Sequence, residues 1–368
     1  LSKVMDTVSS PGLSWTDFLK QTEQLFDTPG SVLNMPPEQL VSEFIGPNMT
    51  WLNDWSVELL QKGALPPKSR LPERVKKRLL WQAHSEMTYL SHRGRTLERI
   101  GKAALAVPLA RLQPLVQTLL SEFKEKFGLH GLDEATLAQW LWGVLTHMRS
   151  KGAVMHPELA NYAADGNVYG LQMSGGRKEW MPTMGERTPR PVFVTLGKQR
   201  DFEAITYTNH SSWYDRWAEA SLGRQILMGK GLAIELFLKA AEILVRDGIL
   251  IRTEHHQGAT LAINPDALVI STNVVFLITP QAKRRLCVDK LDATALMGMP
   301  CLDAIEECYE ECVVPGGWLS QRFSKGDLKR VITAEHTGLL ERKEREDIEE
   351  RFKSKQPQPW YENLLSAT

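Results

Sequence analysis

No cysteine occurs before residue 287, and all four of the chain's cysteines lie between Cys287 and Cys312. That distribution excludes a disulfide-built scaffold, which concentrates many cysteines in a small domain. Long hydrophobic runs are missing as well. The longest apolar stretch, Ala267 to Ile278, is broken by Ser271, Thr272 and Asn273, which makes it too short and too polar to span a bilayer. No charged-then-apolar leader stands at the N-terminus, so nothing reads as a secretory signal. The expectation is therefore a cytoplasmic protein with no membrane partner. Net charge is also absent, since 44 Lys plus Arg balance 44 Asp plus Glu. At 42% hydrophobic, 24% charged and 8% aromatic residues over 368 positions, the composition is globular. It excludes collagen, wholesale disorder and a supercharged nucleic-acid coat. The length calls for two or three domains. A chain that starts at Leu1 without a Met and stops at Ser366-Ala367-Thr368 reads as a piece of something longer.

Catalytic signatures are missing too. There is no G-x-x-x-x-G-K-[ST] loop to cradle phosphates and no Asp-Glu-Ala-Asp or Asp-Glu-x-His to hold magnesium. G-x-G-x-x-G, G-x-S-x-G and H-E-x-x-H are equally absent, so no self-contained catalytic apparatus can be named.

What is present is an uneven charge pattern. Residues 1–61 carry eight acids against two lysines, a net of −6, and residues 62–102 carry eleven Lys/Arg against three Glu, a net of +8. Residues 291–320 hold six acids and no Lys or Arg. Blocks of opposite sign meet one another or meet partners of opposite charge. The basic block, with Arg93-Gly94-Arg95, reads either as a solvated face or as a nucleic-acid contact. A second basic stretch, with Arg187 and Arg190 among six cations from 177 to 200, reads as a solvated loop or as a phosphate track. The cysteines follow C-x13-C-x6-C-x3-C. Structural zinc sites favour C-x2-C to C-x4-C pairs. Cys287, Cys301, Cys308 and Cys312 are thus either incidental thiols or an irregular zinc set in which only Cys308 and Cys312 have suitable spacing.

The fold class expected is mainly α with α+β parts. Residues 1–152 read as a helical domain. Ser14-Trp15-Thr16-Asp17 opens one helix, Pro36-Pro37-Glu38 another, and apolar positions of helical period follow at 51–60, 75–90 and 109–127. Asp133 starts a further helix with a Trp/Leu stripe, closed by Lys151-Gly152. Residues 153–223 are a mixed connecting segment with a strand at 191–195 and a helix at 211–222. Residues 224–279 run from a helix into a β-hairpin, the pattern of a winged helix. Its wing (Arg252, His255, His256) is a better DNA candidate than its apolar helix. Residues 280–320 read as a cysteine-containing acidic linker. Residues 321–368 read as strand, charged helix and strand, a β-α-β unit of a parallel sheet.

That last unit reads Ala334-Glu335-His336-Thr337-Gly338-Leu339-Leu340, then Arg345 to Phe352, then Asn363 to Thr368. It resembles the second RecA-like lobe of superfamily 2 DEAD/DEAH-box helicases, where a strand ending His-x-Gly leads to an R-x-x-x-x-x-x-F helix and a strand ending Ala-Thr. The Glu-His-Thr-Gly-Leu-Leu phrase, with Gly94-Arg95-Thr96-Leu97-Glu98, Lys178-Glu179-Trp180-Met181-Pro182 and Ser212-Trp213-Tyr214-Asp215-Arg216-Trp217, is similar to large bacterial helicase-like proteins, including Druantia-type phage-defence helicases. The resemblance implies part of an ATP-dependent helicase or translocase acting on nucleic acid, with DNA as the expected substrate and defence proteins as partners. ATP and Mg would bind outside this chain. His336, Thr337, Gly338 and Thr368 would face the tracked strand. The competing reading is a winged-helix adaptor that binds protein and has no catalytic activity.

Overall fold

A computed structural model describes the chain except residues 1, 9–11, 45–51, 56–57, 60–61, 166–170, 172–179, 183, 185–187, 198–200, 230, 256–257, 319–320, 323–332, 337–339, 359 and 368. The helices in chain order are α1 (Ser2–Val8), α2 (Trp15–Gln24), α3 (Pro37–Phe44), α4 (Leu52–Trp55), α5 (Leu71–Met87), α6 (Leu109–Phe127), α7 (Glu134–Lys151), α8 (Ala160–Asp165), α9 (Trp213–Ser221), α10 (Leu232–Arg246), α11 (Lys290–Leu296) and α12 (Arg342–Lys353). The strands are β1 (Ala104–Ala106), β2 (Val194–Thr195), β3 (Glu203–Ala204), β4 (Leu250–His255), β5 (Gly258–Ile263), β6 (Val269–Ser271), β7 (Val274–Ile278), β8 (Arg285–Asp289), β9 (Glu311–Val313), β10 (Thr333–His336) and β11 (Leu364–Ala367). Mixed helix and small sheets make this an α+β chain.

The elements gather into two compact units, each drawing on several of the sequence blocks. The first comprises residues 1–21, 83–177 and 183–325, and the second residues 22–82, 178–182 and 326–368. No helix among the described residues is long and apolar enough to cross a membrane.

In the first unit, local chemistry sets the helix ends. The Asp133 carboxylate accepts the Thr136 backbone N–H and caps α7, while Gly152 closes the helix at φ 87°, a left-handed turn that glycine adopts without strain. Ser212 and Asp215 form a reciprocal capping box on α9, satisfying two donors that the helix start leaves open. At α2 the Asp17 backbone N–H donates to the Ser14 hydroxyl, which in turn donates to the Asp17 carboxylate. The Trp/Leu stripe of α7 is core: Leu137, Trp140, Leu141, Leu145 and Met148 are all buried.

The helix and hairpin expected over 224–279 both form, but the hairpin is not a free wing. Strand β5 pairs with β4 on one side and β2 on the other, giving a sheet of order β3-β2-β5-β4. The Val194–Thr195 pairing that absorbs the hairpin is only two residues long, too short for its pattern to show as more than a strand fragment. Helix α10 buries Leu236, Phe237, Ala240, Ala241, Ile243 and Leu244. The segment expected as a linker over 280–320 is folded where it is described, at 280–318. It supplies β8, α11 and β9, and β7 is sandwiched between β8 and β9 in a three-stranded sheet. Apolar Phe276, Leu277 and Ile278 need cover, and the segment that follows in sequence provides it.

In the second unit, β10 and β11 pair in parallel from Thr333↔Leu364 to His336↔Ala367, with α12 as the connection packed on β10. Ile348 is the buried residue of α12, and Arg351 grips Glu362 through two nitrogens at 2.7–3.3 Å. Trp81 and Trp180 pack edge to face at 6.3 Å between ring centroids.

Candidate nucleic-acid interface

The acidic and basic blocks meet one another. Within the second unit, Arg74 pairs with Asp54 at 3.2 Å, Lys76 with Asp27 at 3.3 Å and with Glu73 at 3.2 Å. Arg78 donates to the Trp180 carbonyl at 2.9 Å. Within the first unit, Lys102 pairs with Asp6 at 2.7 Å. Three cations of the +8 block, Arg74, Lys76 and Lys102, are therefore matched by carboxylates inside the chain.

The nucleic-acid candidates separate by environment. Arg93 and Arg95 are exposed in the turn after α5. Arg190 is half-buried and held by Asp201 at 3.3 Å. Arg252, on edge strand β4, is paired with Glu254 at 2.6 Å. Residues i and i+2 of a strand share a face, so the wing cancels its own charge. His336 ends β10. Arg187, His256, Thr337, Gly338 and Thr368 lie outside the described residues.

The four cysteines are not gathered. Cys287 on β8 pairs with Phe276 and Cys312 on β9 with Leu277. Phe276 and Leu277 are consecutive on β7, so the two thiols project from opposite sheet faces. Cys287 and Cys301 are buried, Cys308 is half-buried and accepts from the Arg224 guanidinium at 2.7 Å, and Cys312 is exposed. Among the described residues no group of three or more His, Cys, Asp or Glu is placed to hold a metal ion. This arrangement does not fit a tetrahedral thiolate site.

The first unit also contains buried polar groups that the sequence reading missed. His147 Nε2 sits 3.0–3.1 Å from both carboxylate oxygens of Glu203, and the Tyr214 hydroxyl donates to the same carboxylate at 3.2 Å. A carboxylate only accepts, so Nε2 carries the imidazole proton. The His147 ring stacks on Trp213 at 3.6 Å with 6° between planes. Burial keeps His147 below the ordinary histidine range despite the Glu203 charge. For Glu203 burial acts upward, but the hydrogen bonds and charges around it outweigh burial and hold the carboxyl below its usual range. Nearby, Arg149 is 3% exposed, pairs with Glu98 at 2.8 Å and donates to the Met87 carbonyl at 2.7 Å. In sequence Arg149 is simply a cation in the last turn of α7, where the helix dipole favours one. Partners 51 to 62 residues away leave no local trace; the one available sign was a polar residue inside an apolar stripe.

A histidine pair gives the first unit a pH response. The rings of His84 and His156 lie 4.8 Å apart, and His156 Nδ1 accepts the Glu158 backbone N–H at 3.2 Å. Burial, and then the proximity of His156, holds His84 well below the usual range, while burial brings His156 down to about 4. The unfolded chain takes up these protons first, at roughly pH 6.5. The stabilisation is therefore complete above that pH and is lost as pH falls toward the folded values. Urea unfolding at a series of pH values should give a free energy that declines from pH 7 to 4.5. His156→Gln should flatten that decline by about one proton, up to ~1.4 kcal/mol per pH unit. An unchanged slope would show that His156 is not held neutral in the fold.

No protein-family model, curated protein or solved structure matches the chain.

Proposed function

We propose that this chain is part of an ATP-dependent nucleic-acid helicase or translocase acting on DNA in bacterial anti-phage defence. It would contribute strand-binding surface, inter-lobe structure and the opening of the second RecA-like lobe. The observation that carries the reading is the register of the β10–β11 pair. His336↔Ala367 is its last rung, so the two strands end side by side. The chain then continues into His-x-Gly on one strand and into Ala-Thr on the other. Open α/β sheets bind ligands at the carboxyl ends of their strands, and His336 and Ala367, the first described residues of the two phrases, stand at those ends. Backbone amides and a hydroxyl there would position phosphates without reading sequence.

ATP is not assigned to residues of this chain, whose sequence carries neither G-x-x-x-x-G-K-[ST] nor Asp-Glu-Ala-Asp or Asp-Glu-x-His. The adaptor reading required the apolar face of α10 to dock a partner, and that face is buried within the first unit. The test is ATP hydrolysis measured with and without single-stranded DNA, for this chain and for the product of its whole reading frame. The expected result is no turnover by the chain and DNA-stimulated turnover by the whole product. A whole product that does not hydrolyse ATP would overturn the proposal.

A further inference from the structure

We infer that the outer edge of β9 is a pairing surface for a second copy of this chain, the two β9 strands meeting antiparallel about a two-fold axis with Cys312 opposite its own copy. The inference stands apart from the nucleic-acid reading and concerns the first unit alone.

Strand β9 lies on one side of β7 and β8 on the other, and among the described residues no strand pairs with the far side of β9. The ladder fixes which of its backbone groups point outward. The Thr279 N–H donates to the Arg284 carbonyl at 3.0 Å, one rung beyond Ile278↔Arg285. Bonded pairs alternate along an antiparallel ladder, so Val275, Leu277 and Thr279 bond toward β8, and Phe276 and Ile278 toward β9. The Ile278 carbonyl also accepts from the Glu310 N–H at 3.1 Å, on the β9 side. Val313 and Glu311, the partners of Phe276 and Ile278, therefore face β7, and Cys312 between them turns its N–H and C=O outward. An outward donor and acceptor on an exposed edge are what an added strand takes up.

The side chains agree. Cys312 is exposed, and Val313, Val314 and Trp318 are 44%, 71% and 73% exposed. Apolar area gathered in this way gains by being covered. Pro315 is seated against Gly101, where an added Cβ would lie 2.3 Å from the Pro315 Cβ. The end of the strand is thus anchored, and an anchored edge loses little entropy on pairing.

Charge selects the occupant. Glu311 is matched by Lys283 of the β7–β8 turn at 3.0 Å, so the edge does not call for a strongly basic strand. Setting Cys312 opposite its own copy puts Glu311 opposite Val313 and Glu310 opposite Val314. No acid then faces an acid, an arrangement that would destabilise the pair. The formal net charge of the chain is zero, and a neutral chain does not repel its own copy. A two-fold pair uses the same patch on both partners, so each copy covers the valines of the other.

The experiment is sedimentation equilibrium of the full chain at concentrations up to about 100 μM, where a complex of micromolar Kd is mostly formed. A thiol-specific bismaleimide crosslink, mapped by peptide mass spectrometry, supplies the second readout. Cys312→Pro removes the outward N–H and leaves the rungs to β7, a position where edge strands tolerate proline. Cys312→Ala keeps that N–H. Val314→Lys places an ammonium on the exposed face. Leu227→Asp is the control, at a side chain 94% exposed elsewhere in the first unit. Unfolding midpoints confirm that each variant is folded. The expected result is a reversible dimer with a crosslink joining Cys312 to Cys312. Cys312→Pro and Val314→Lys should raise its Kd about tenfold or more, the scale of two lost hydrogen bonds. Cys312→Ala and Leu227→Asp should leave the Kd unchanged. Three outcomes overturn the inference: a chain that is monomeric at every concentration, a Cys312→Pro variant that associates as the wild type does, or crosslinks confined to other cysteines. The first of these would leave the edge to a partner of different sequence.

Discussion

Arg149→Met should cost the first unit about 3–5 kcal/mol of unfolding free energy, because removing one partner of a buried ion pair leaves the other charge without compensation. Arg149 is 3% exposed, and its partner Glu98 has a side chain 12% exposed. Without the guanidinium, Glu98 would sit near the half-buried Glu86 carboxyl, which burial first and Glu98 last already push upward. The Met87 carbonyl would lose its donor as well. Arg149→Lys should fall between, since one ammonium cannot reproduce contacts made by two separate guanidinium nitrogens. Pairing Arg149→Met with Glu98→Met should recover much of the loss, as apolar replacements of whole buried pairs often do. Chemical denaturation followed by tryptophan fluorescence measures all four proteins. A single variant that loses less than about 1 kcal/mol would mean that the pair is hydrated and exposed.

Gly143→Ala should be nearly as damaging, although alanine is the better helix former by about 1 kcal/mol. A Cβ at position 143 would lie 2.0 Å from Trp217 Cζ2 and 2.6 Å from Cε2. That indole cannot step aside cheaply. It is fully buried, its Nε1 donates to the Trp140 carbonyl at 3.0 Å, and its ring lies against Trp213 at 5.3 Å, which is itself stacked on His147. Overpacking at such a point costs about 3 kcal/mol or more, above the usual core range because the neighbour is fixed on three sides. Trp217→Leu in the Gly143→Ala background should regain part of the stability. Each change alone should destabilise, so a double-mutant cycle reads the coupling directly. Additive losses would show that the glycine is not there to seat the tryptophan.

These two sites illustrate what a sequence gives up easily and what it withholds. Helix α7 was legible from end to end because Asp133 and Gly152 act within a few residues of themselves. The range 109–127 was legible for the same reason: its apolar period is local, and the helix observed is Leu109–Phe127. The β10-α12-β11 pairing was also readable, since strand, charged helix and strand follow one another directly. By contrast, β1 is a run of Ala104-Leu105-Ala106, with little intrinsic strand preference. It is a strand because β6 lies beside it. The helix expected over 51–60 is seen at α4 and again as helical backbone at 58–59, the residues around them lying outside the described set.

Charge was harder still. The opposite blocks were visible, but whether they met each other or a partner depended on contacts up to 96 residues apart, such as Lys102 with Asp6. The fold pairs Arg74, Lys76 and Lys102 with carboxylates of the chain itself. The cysteine spacing, too, was uninformative until the β7 register placed Cys287 and Cys312 on opposite faces.

The proposed function requires the chain to engage the backbone of nucleic acid, and the most direct measurement is its equilibrium affinity for a mixed-sequence DNA oligonucleotide across a range of salt. The expected result is binding whose logarithm falls linearly with log salt and varies little with base sequence. No detectable binding at low salt, or an affinity indifferent to salt, would contradict it.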